Sequence, residues 1–249
     1  MSWFDNVKRD ILPKGEDIER PLYRYIPFDT LLQMINEKKN FLLRTSMWED
    51  VYENFIMKEN IVFNGKTNPF SNLSDMCFGQ CWTTKAKSDA MWRIYSPDKK
   101  SVRIKTTIKK LWDSTKSNDH MGAFVIGKVQ YLQQSTIEQD LVKNSPYSAK
   151  SFIDVFISSL FVKRTSFSHE REYRLIYVCD DNSPDKGEAC KGLSIDPMDF
   201  IMNIFFDPRA DQHYVDKCKR ILVDAFKYPS KQIHKSTLYD FKPCTIAIK

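Results

Sequence analysis

The segment 161–178, reading FVKRTSFSHEREYRLIYV, holds the densest set of groups able to do chemistry. Lys163 and Arg164 close a predicted helix, a short polar loop follows, and Glu170-Arg171-Glu172 opens a strand. Residues i and i+2 of a strand share a face. Glu170, Glu172 and Arg174 are therefore expected to project together, two carboxylates and a guanidinium at one strand end. Carboxylates that close shift one another's pKa and can do acid–base work or stabilise a developing cation. Paired with Lys163 and Arg171, the same charges would equally make an exposed salt-bridge cluster of little energetic weight. His169-Glu170 has no second histidine at helical spacing, so metalloprotease chemistry is not indicated, and no metal site is expected.

Two further groups stand apart in the sequence. Tyr23-Arg24-Tyr25 lies in a predicted strand, and Arg44-Thr45-Ser46 ends the next, with Trp48-Glu49-Asp50 and Glu53 just beyond. An arginine in an otherwise apolar strand needs a partner, because burying an unpaired guanidinium is costly. Arg24 either pairs with a carboxylate such as Glu49 or Glu172, or faces a cleft and binds an anion. In Met91-Trp92-Arg93-Ile94-Tyr95, Trp92 and Tyr95 fall one helical turn apart, as core aromatics or as a stacking surface for a base or nicotinamide ring. Nine basic residues against Asp89 and Asp98 lie within 85–110, so this segment alone exceeds the net +6 of the chain. It reads as a solvated lysine face or as a surface for phosphate, including that of a nucleic acid.

Positioning these groups falls to alternating strands and helices. Strands are expected at 22–26, 41–46, 76–83, 101–106 (half exposed), 123–132, 173–179, 192–195 and 201–206, with two late ones near Ile233 and Ile246. Helices are expected with Phe28, Leu31, Leu32 and Ile35 on one face, at 48–57, after a Ser88 cap up to Pro97, at 149–164 as the longest and most buried, and at 210–226. Seven glycines, none clustered, disfavour a Rossmann or P-loop nucleotide fold. With 42% hydrophobic residues over 249 positions the chain can bury a sizeable core, and one α+β domain over 1–249 is expected. No apolar run approaches membrane-spanning length, and the N-terminus lacks the features of a secretory signal. No membrane association and a cytoplasmic location are therefore expected. The six cysteines, including Cys77 and Cys81, have no partners at zinc spacing and read as free thiols.

In order, the chain presents Leu22-Tyr23-Arg24-Tyr25, Trp48-Glu49-Asp50 with Glu53, Cys81-Trp82-Thr83, Met91-Trp92 with Tyr95, Phe167 with Glu170, Glu172-Tyr173-Arg174-Leu175 and Phe206-Asp207-Pro208. This series resembles an uncharacterised bacterial family, the domain of unknown function numbered twenty-nine seventy-one, over nearly the whole chain. It departs at Trp48-Glu49-Asp50-Val51, where the family more often has Asn-Asp-Pro. Similar proteins often occur near phage-defence and mobile-element genes. The resemblance thus implies a role in antiviral defence, with a partner protein of a defence operon, and supplies no activity.

A second resemblance supplies one. An arginine in the first strand, Thr-Ser at the end of the next and a late Glu-x-Glu leading into a strand are similar to the Arg/Ser/Glu layout of ADP-ribosyltransferases. That likeness implies a mixed, largely antiparallel sheet with flanking helices and NAD as the compound consumed. Arg24 would hold a phosphate or ribose, Ser46 would brace the site, and Trp92 or Tyr95 would stack nicotinamide, with Arg174 beside the cofactor. Glu172 would bond the ribose 2′-hydroxyl and stabilise positive charge, as carboxylates do in glycoside cleavage, and Glu170 would orient a nucleic-acid or protein acceptor. Two other readings stay open: a nuclease using Glu170, Glu172 and the basic segment, and a non-catalytic sensor or partner-binding module. Arg164 and His169, five apart, are also similar to a pair in a class of helical ribonucleases, although those enzymes lack strands.

Overall fold

The computed structural model describes residues 17–50, 75–116, 121–137 and 152–241, together with residues 15, 52, 53, 62, 63, 66, 67, 73 and 243. The first half runs β1 (Pro21–Ile26), α1 (Phe28–Glu37), β2 (Lys39–Arg44), the short β3 (Val62–Phe63) and β4 (Lys66–Thr67), β5 (Cys77–Thr83), α2 (Asp89–Tyr95), β6 (Val102–Thr107) and α3 (Ile108–Lys116). The second half runs β7 (Gly122–Lys128), β8 (Gln130–Leu132), α4 (Phe152–Ser159), β9 (Val162–Arg164), β10 (Glu172–Cys179), β11 (Cys190–Ser194), α5 (Pro197–Phe200), β12 (Asn203–Phe206), α6 (Gln212–Asp224) and β13 (Ile233–Lys235). This is an α+β architecture around a nine-stranded sheet, antiparallel at every pairing except β12 with β13.

The local chemistry explains the elements. Pro27 breaks β1, and Phe28, Leu31, Met34 and Ile35 then bury one face of α1, which ends at Lys38 in the left-handed conformation with φ 52°. Ser88 caps α2 by accepting from the Met91 amide, and Asp211 caps α6 by accepting from the Tyr214 amide. All eight residues of β10 are buried, because β5 and β7 flank it on both sides. Its apolar stretch, residues 175–179, is what a buried central strand requires, and the charged Glu172 and Arg174 stand at its start.

The sheet forks at β5. One edge of β5 pairs with β10 along its whole length, Glu172 opposite Thr83 through Val178 opposite Cys77. The other edge is divided: β2 pairs at Phe78 and Gly79, and β1 pairs at Thr83. Gln80, Cys81 and Trp82 are left without a registered strand partner on that edge. Two limbs diverge from there, β2 with β11 and β1 with β6, β12 and β13.

Several expectations change. The helix expected at 149–164 is described only from Phe152 to Ser159, and Val162–Arg164 is a strand parallel to β8. The longest described helix is instead α6, of 13 residues. The expected strand 123–132 is two strands in different sheets. Strand β6 is not half exposed: Arg103 is buried, its guanidinium over the rings of Tyr23 at 4.9 Å and Phe205 at 4.4 Å. Residues 45–47 form a 3-10 turn rather than the end of a strand. Trp48, Glu49, Asp50, Tyr52 and Glu53 are not helical, and the rest of the helix expected at 48–57 lies outside the described residues, as does the strand near Ile246. Among the described residues no helix is long and apolar enough to cross a membrane, and five cysteines are free thiols.

Candidate active site

Where β1 and β2 part company over β5, a cleft of 710 Å³ opens, within the size range of small-molecule sites. Its floor is Gly79 to Thr83. Leu43, Met47 and Trp48 stand on the β2 side, and Ile94 and Tyr95 stand on α2. A Cβ on Gly79 would overlap the Trp48 ring, so glycine here is what lets Trp48 lie against the strand. The guanidinium of Arg174 sits 4.6 Å from the centre of the same ring.

The carboxylates gather on the β10 side. Glu170 ends a 3-10 turn, Thr165–Glu170, and Arg171 follows at φ 45° in the left-handed region. That reversal turns Arg171 out to solvent and both Glu170 and Glu172 inward. The two therefore converge, but through a turn and not through the shared strand face expected from their spacing. Nor are they an exposed cluster: Lys163, Glu53, Glu170, Glu172 and Arg174 are all buried. The Lys163 ammonium lies 2.5 Å from Glu170 Oε2, 3.1 Å from Glu172 Oε1 and 3.0 Å from Glu53 Oε1. Arg174 donates from Nε to Glu172 Oε2 at 3.0 Å, from Nη2 to Glu53 Oε1 at 2.5 Å and from Nη1 to the Leu160 carbonyl at 2.7 Å. Tyr95 donates to Glu170 Oε1 at 2.9 Å, and the Glu172 amide donates to the Tyr131 hydroxyl at 2.9 Å.

These surroundings separate the two acids. Burial, then the neighbouring Glu172 charge, raises Glu170 to about 7 against the pull of Lys163. Burial also opposes ionisation of Glu172, but Arg174 and Lys163 outweigh it and hold that carboxyl below the usual range. Near neutral pH, Glu172 is thus an anion while Glu170 is poised to exchange a proton. Lys163 is pushed up, burial being outweighed by Glu172, Glu53 and Glu170, so it stays charged.

Arg24 answers the question its sequence raises. Half-buried on the cleft wall, it makes no hydrogen bond or ion pair among the described residues. Burial lowers it to about 10, which leaves it charged at neutral pH. It pairs with neither Glu49 nor Glu172, and is a cation facing the same cleft as the two carboxylates.

Three expected cofactor contacts do not reach the cleft. Ser46 is exposed on the 3-10 turn outside it, and its neighbours Met47 and Trp48 line it instead. Trp92 is fully buried against the edge of Tyr25, with ring centres 4.7 Å apart, and has no face to offer a ligand. Arg174 is completely buried, spent on Glu53, Glu172 and the Leu160 carbonyl, and is a brace for the carboxylates. Tyr95 does reach the cleft, half exposed and stacked on Tyr25 at 6.3 Å. Nor does the basic segment form one free surface, since Arg103 is buried and Arg93, Lys109 and Lys110 pair with Asp89, Asp113 and Asp199. His169 and Arg164 also line the cleft, with Arg164 bonded to Asp50 at 2.8 Å.

The sequence offered Lys163 as a partner of Glu170 and Glu172 in an exposed cluster; that it is buried and also holds Glu53 was not evident from sequence. Among the described residues no group of three or more His, Cys, Asp or Glu side chains is arranged to hold a metal ion.

A family model described as protein of unknown function (DUF2971) matches residues 91–175, which include Tyr95, Lys163, Glu170, Glu172 and Arg174 but not Arg24. No curated protein matches the sequence. Among solved structures, the chain is similar to DarT from Thermus sp. 2.9. The complex with NAD+ is 11% identical with a TM-score of 0.41, covering 91% of this chain and 98% of that one. The complex with carba-NAD+ is 10% identical with a TM-score of 0.39, covering 88% and 96%. The complex with ADP-ribosylated ssDNA is 10% identical with a TM-score of 0.42, covering 90% and 98%.

Proposed function

We propose that this chain is a single-domain transferase that cleaves the nicotinamide–ribose bond of NAD and passes the ADP-ribosyl group to an acceptor, nucleic acid or protein. What supports this reading is one observation: a guanidinium with no partner among the described residues, Arg24, lines the same cleft as one ionised and one proton-exchanging carboxylate, Glu172 and Glu170. The residues present fit a dinucleotide. Arg24 is free for a phosphate, the rings of Tyr95, Trp48 and Phe167 line the cleft for stacking, and the volume suffices.

In this reading Glu172, kept anionic by Arg174 and Lys163, stands beside the ribose carbon as positive charge develops there. The bonding pair leaves with nicotinamide, which departs neutral, and the acceptor's oxygen or nitrogen forms the new bond to that carbon. The proton released from the acceptor goes to Glu170. Catalysis then comes mostly from fixed charge placed where charge develops. The nuclease reading draws less from the geometry, because the Lys163 ammonium already fills the centre of the three carboxylates, where a divalent cation would have to sit. A pure binding module would have its polar groups mutually paired and no cleft, whereas Arg24 has no partner among the described residues and a cleft is present.

The test is incubation with NAD labelled on the adenylate side, with nucleic acid and lysate protein supplied in turn. Wild type is expected to release nicotinamide and label one of them, and Glu172→Gln to be slower by about 100-fold or more. Absence of both nicotinamide release and label transfer from the wild type would sink the reading. The antiviral role belongs to the same proposal, and plaque counts on cells carrying wild type or Glu172→Gln, in the presence of neighbouring genes, test it.

A further inference from the structure

Glu170 and Glu172 are chemically identical side chains two positions apart, so what separates them is which cations reach each. Two cations hold Glu172, Arg174 on Oε2 at 2.9 Å and Lys163 on Oε1 at 3.1 Å. Two also hold Glu53, Arg174 at 2.5 Å and Lys163 at 3.0 Å. Among the described residues Glu170 has one cation, Lys163 at 2.5 Å on Oε2, and on Oε1 the phenol of Tyr95 at 2.9 Å.

We infer that Lys163 is a positioning residue whose single ammonium, shared among Glu53, Glu170 and Glu172, divides the proton between the pair, keeping Glu172 ionised and leaving Glu170 to exchange. Among the described residues the groups facing the pair are few, and Arg24 lines the same cleft without bonding either carboxylate. Tyr95 comes from α2, Cys81 from β5, Tyr131 from β8, Lys163 from β9, Arg174 from β10, and Glu53 from its turn. His169 adjoins Glu170, and Arg164 is engaged by Asp50. Burial pushes Tyr95, Tyr131 and Cys81 upward, which keeps them neutral. Among the described residues three carboxylates are therefore bonded by two cations, and the negative charge in excess is relieved by a proton at the carboxylate with the fewest cations. A lysine suits the task because its compact ammonium points three donors at three separate partners, where a planar guanidinium would favour one carboxylate bidentately.

This deepens the transfer reading and draws its chemical meaning from it, but the charge division can be tested without activity. With glutamate side chains labelled with carbon-13 and followed by NMR, Glu170→Gln assigns the Glu170 signal. Lys163→Met is expected to raise the Glu170 midpoint by about one unit or more, and Lys163→Arg to return it towards the wild-type value. Glu53→Gln, a gentler change, is expected to move it the opposite way, down, because one competing negative charge is gone. That variant decides the matter where Lys163→Met does not fold. A midpoint unmoved in Glu53→Gln and in any folded Lys163→Met overturns the inference. In the same proteins the acid limb of kcat should follow the Glu170 midpoint while KM for NAD stays put, since Arg24 is untouched. Midpoints that move as stated without nicotinamide release from any protein would leave the charge division standing and end the transfer reading. Release with unmoved midpoints would do the reverse.

Discussion

Two arginines near the cleft do opposite things, and the difference is measurable. Arg174 is fully buried and bonded to two carboxylates and a carbonyl; Arg24 is half-buried with no ion pair among the described residues. Removing one partner of a buried ion pair strands the other charges, so Arg174→Met is expected to destabilise the fold by about 3–5 kcal/mol. Arg24→Met removes a partly desolvated cation that no described residue pairs with, and its unfolding midpoint should equal or exceed that of wild type. Its affinity for NAD should fall by about 10- to 100-fold, the worth of a hydrogen bond to a charged group. Denaturation curves and calorimetric titration on both variants check this. An Arg24→Met protein that unfolds early while binding NAD normally would mean that Arg24 is a structural residue.

The cleft exists because a strand changes partners. β5 gives one edge to β10 and divides the other between β2 and β1, so Gln80, Cys81 and Trp82 lack a strand partner on that edge and the cleft opens over them. Gly79 sits at the point of division, with Trp48 lying where a side chain would go and the Arg174 guanidinium 4.6 Å from the centre of that ring. Gly79→Ala must therefore push Trp48 off the strand. The expected cost is about 1–3 kcal/mol, as for other overpacked sites, together with a red-shifted, more exposed tryptophan emission when read against a Trp48→Phe control. Gly192, whose nearest neighbours are the flexible Lys39 chain and the Phe41 ring rather than an immobile indole, offers a comparison, and Gly192→Ala should be milder. Equal costs at the two sites would mean that the Trp48 contact is not what fixes Gly79.

Across the whole molecule the buried charge cluster ties stability to pH. Glu170 is raised in the fold from an ordinary 4.5 to about 7, so the folded state holds that proton more tightly than the unfolded chain. Its contribution is fully present below 4.5 and is lost as pH rises towards 7. Glu172 has the opposite sign, since a lowered carboxyl favours folding above its ordinary value and loses that contribution as pH falls. Glu170→Gln should therefore flatten the decline in stability over the window from 4.5 to about 7 while leaving the loss at lower pH in place. Urea midpoints measured across that range for both proteins decide it, and parallel curves would show that Glu170 titrates normally.

Much of this was legible in order along the chain. Apolar periodicity located α1, β5, β10 and α6, Ser88 announced the start of α2, and the rarity of glycine turned attention from phosphate loops to side chains. Arg24 in an apolar strand and the Glu170–Glu172 pair were visible as groups that needed partners, because burying charge is costly wherever it happens. What propensity cannot carry is contact between distant residues. Glu53 meets Arg174 across 121 positions and Tyr95 meets Glu170 across 75, and nothing local encodes either meeting. The left-handed turn at Arg171 replaced the strand face that spacing suggested, and helical spacing could not say that Trp92 would face inward while Tyr95 faced the cleft. Sequence by itself determined which residues had unmet electrostatic and apolar needs. Only the forked sheet decided that Arg24 would be left unmet beside a cleft, because β1 and β2 cannot both pair with the middle of β5.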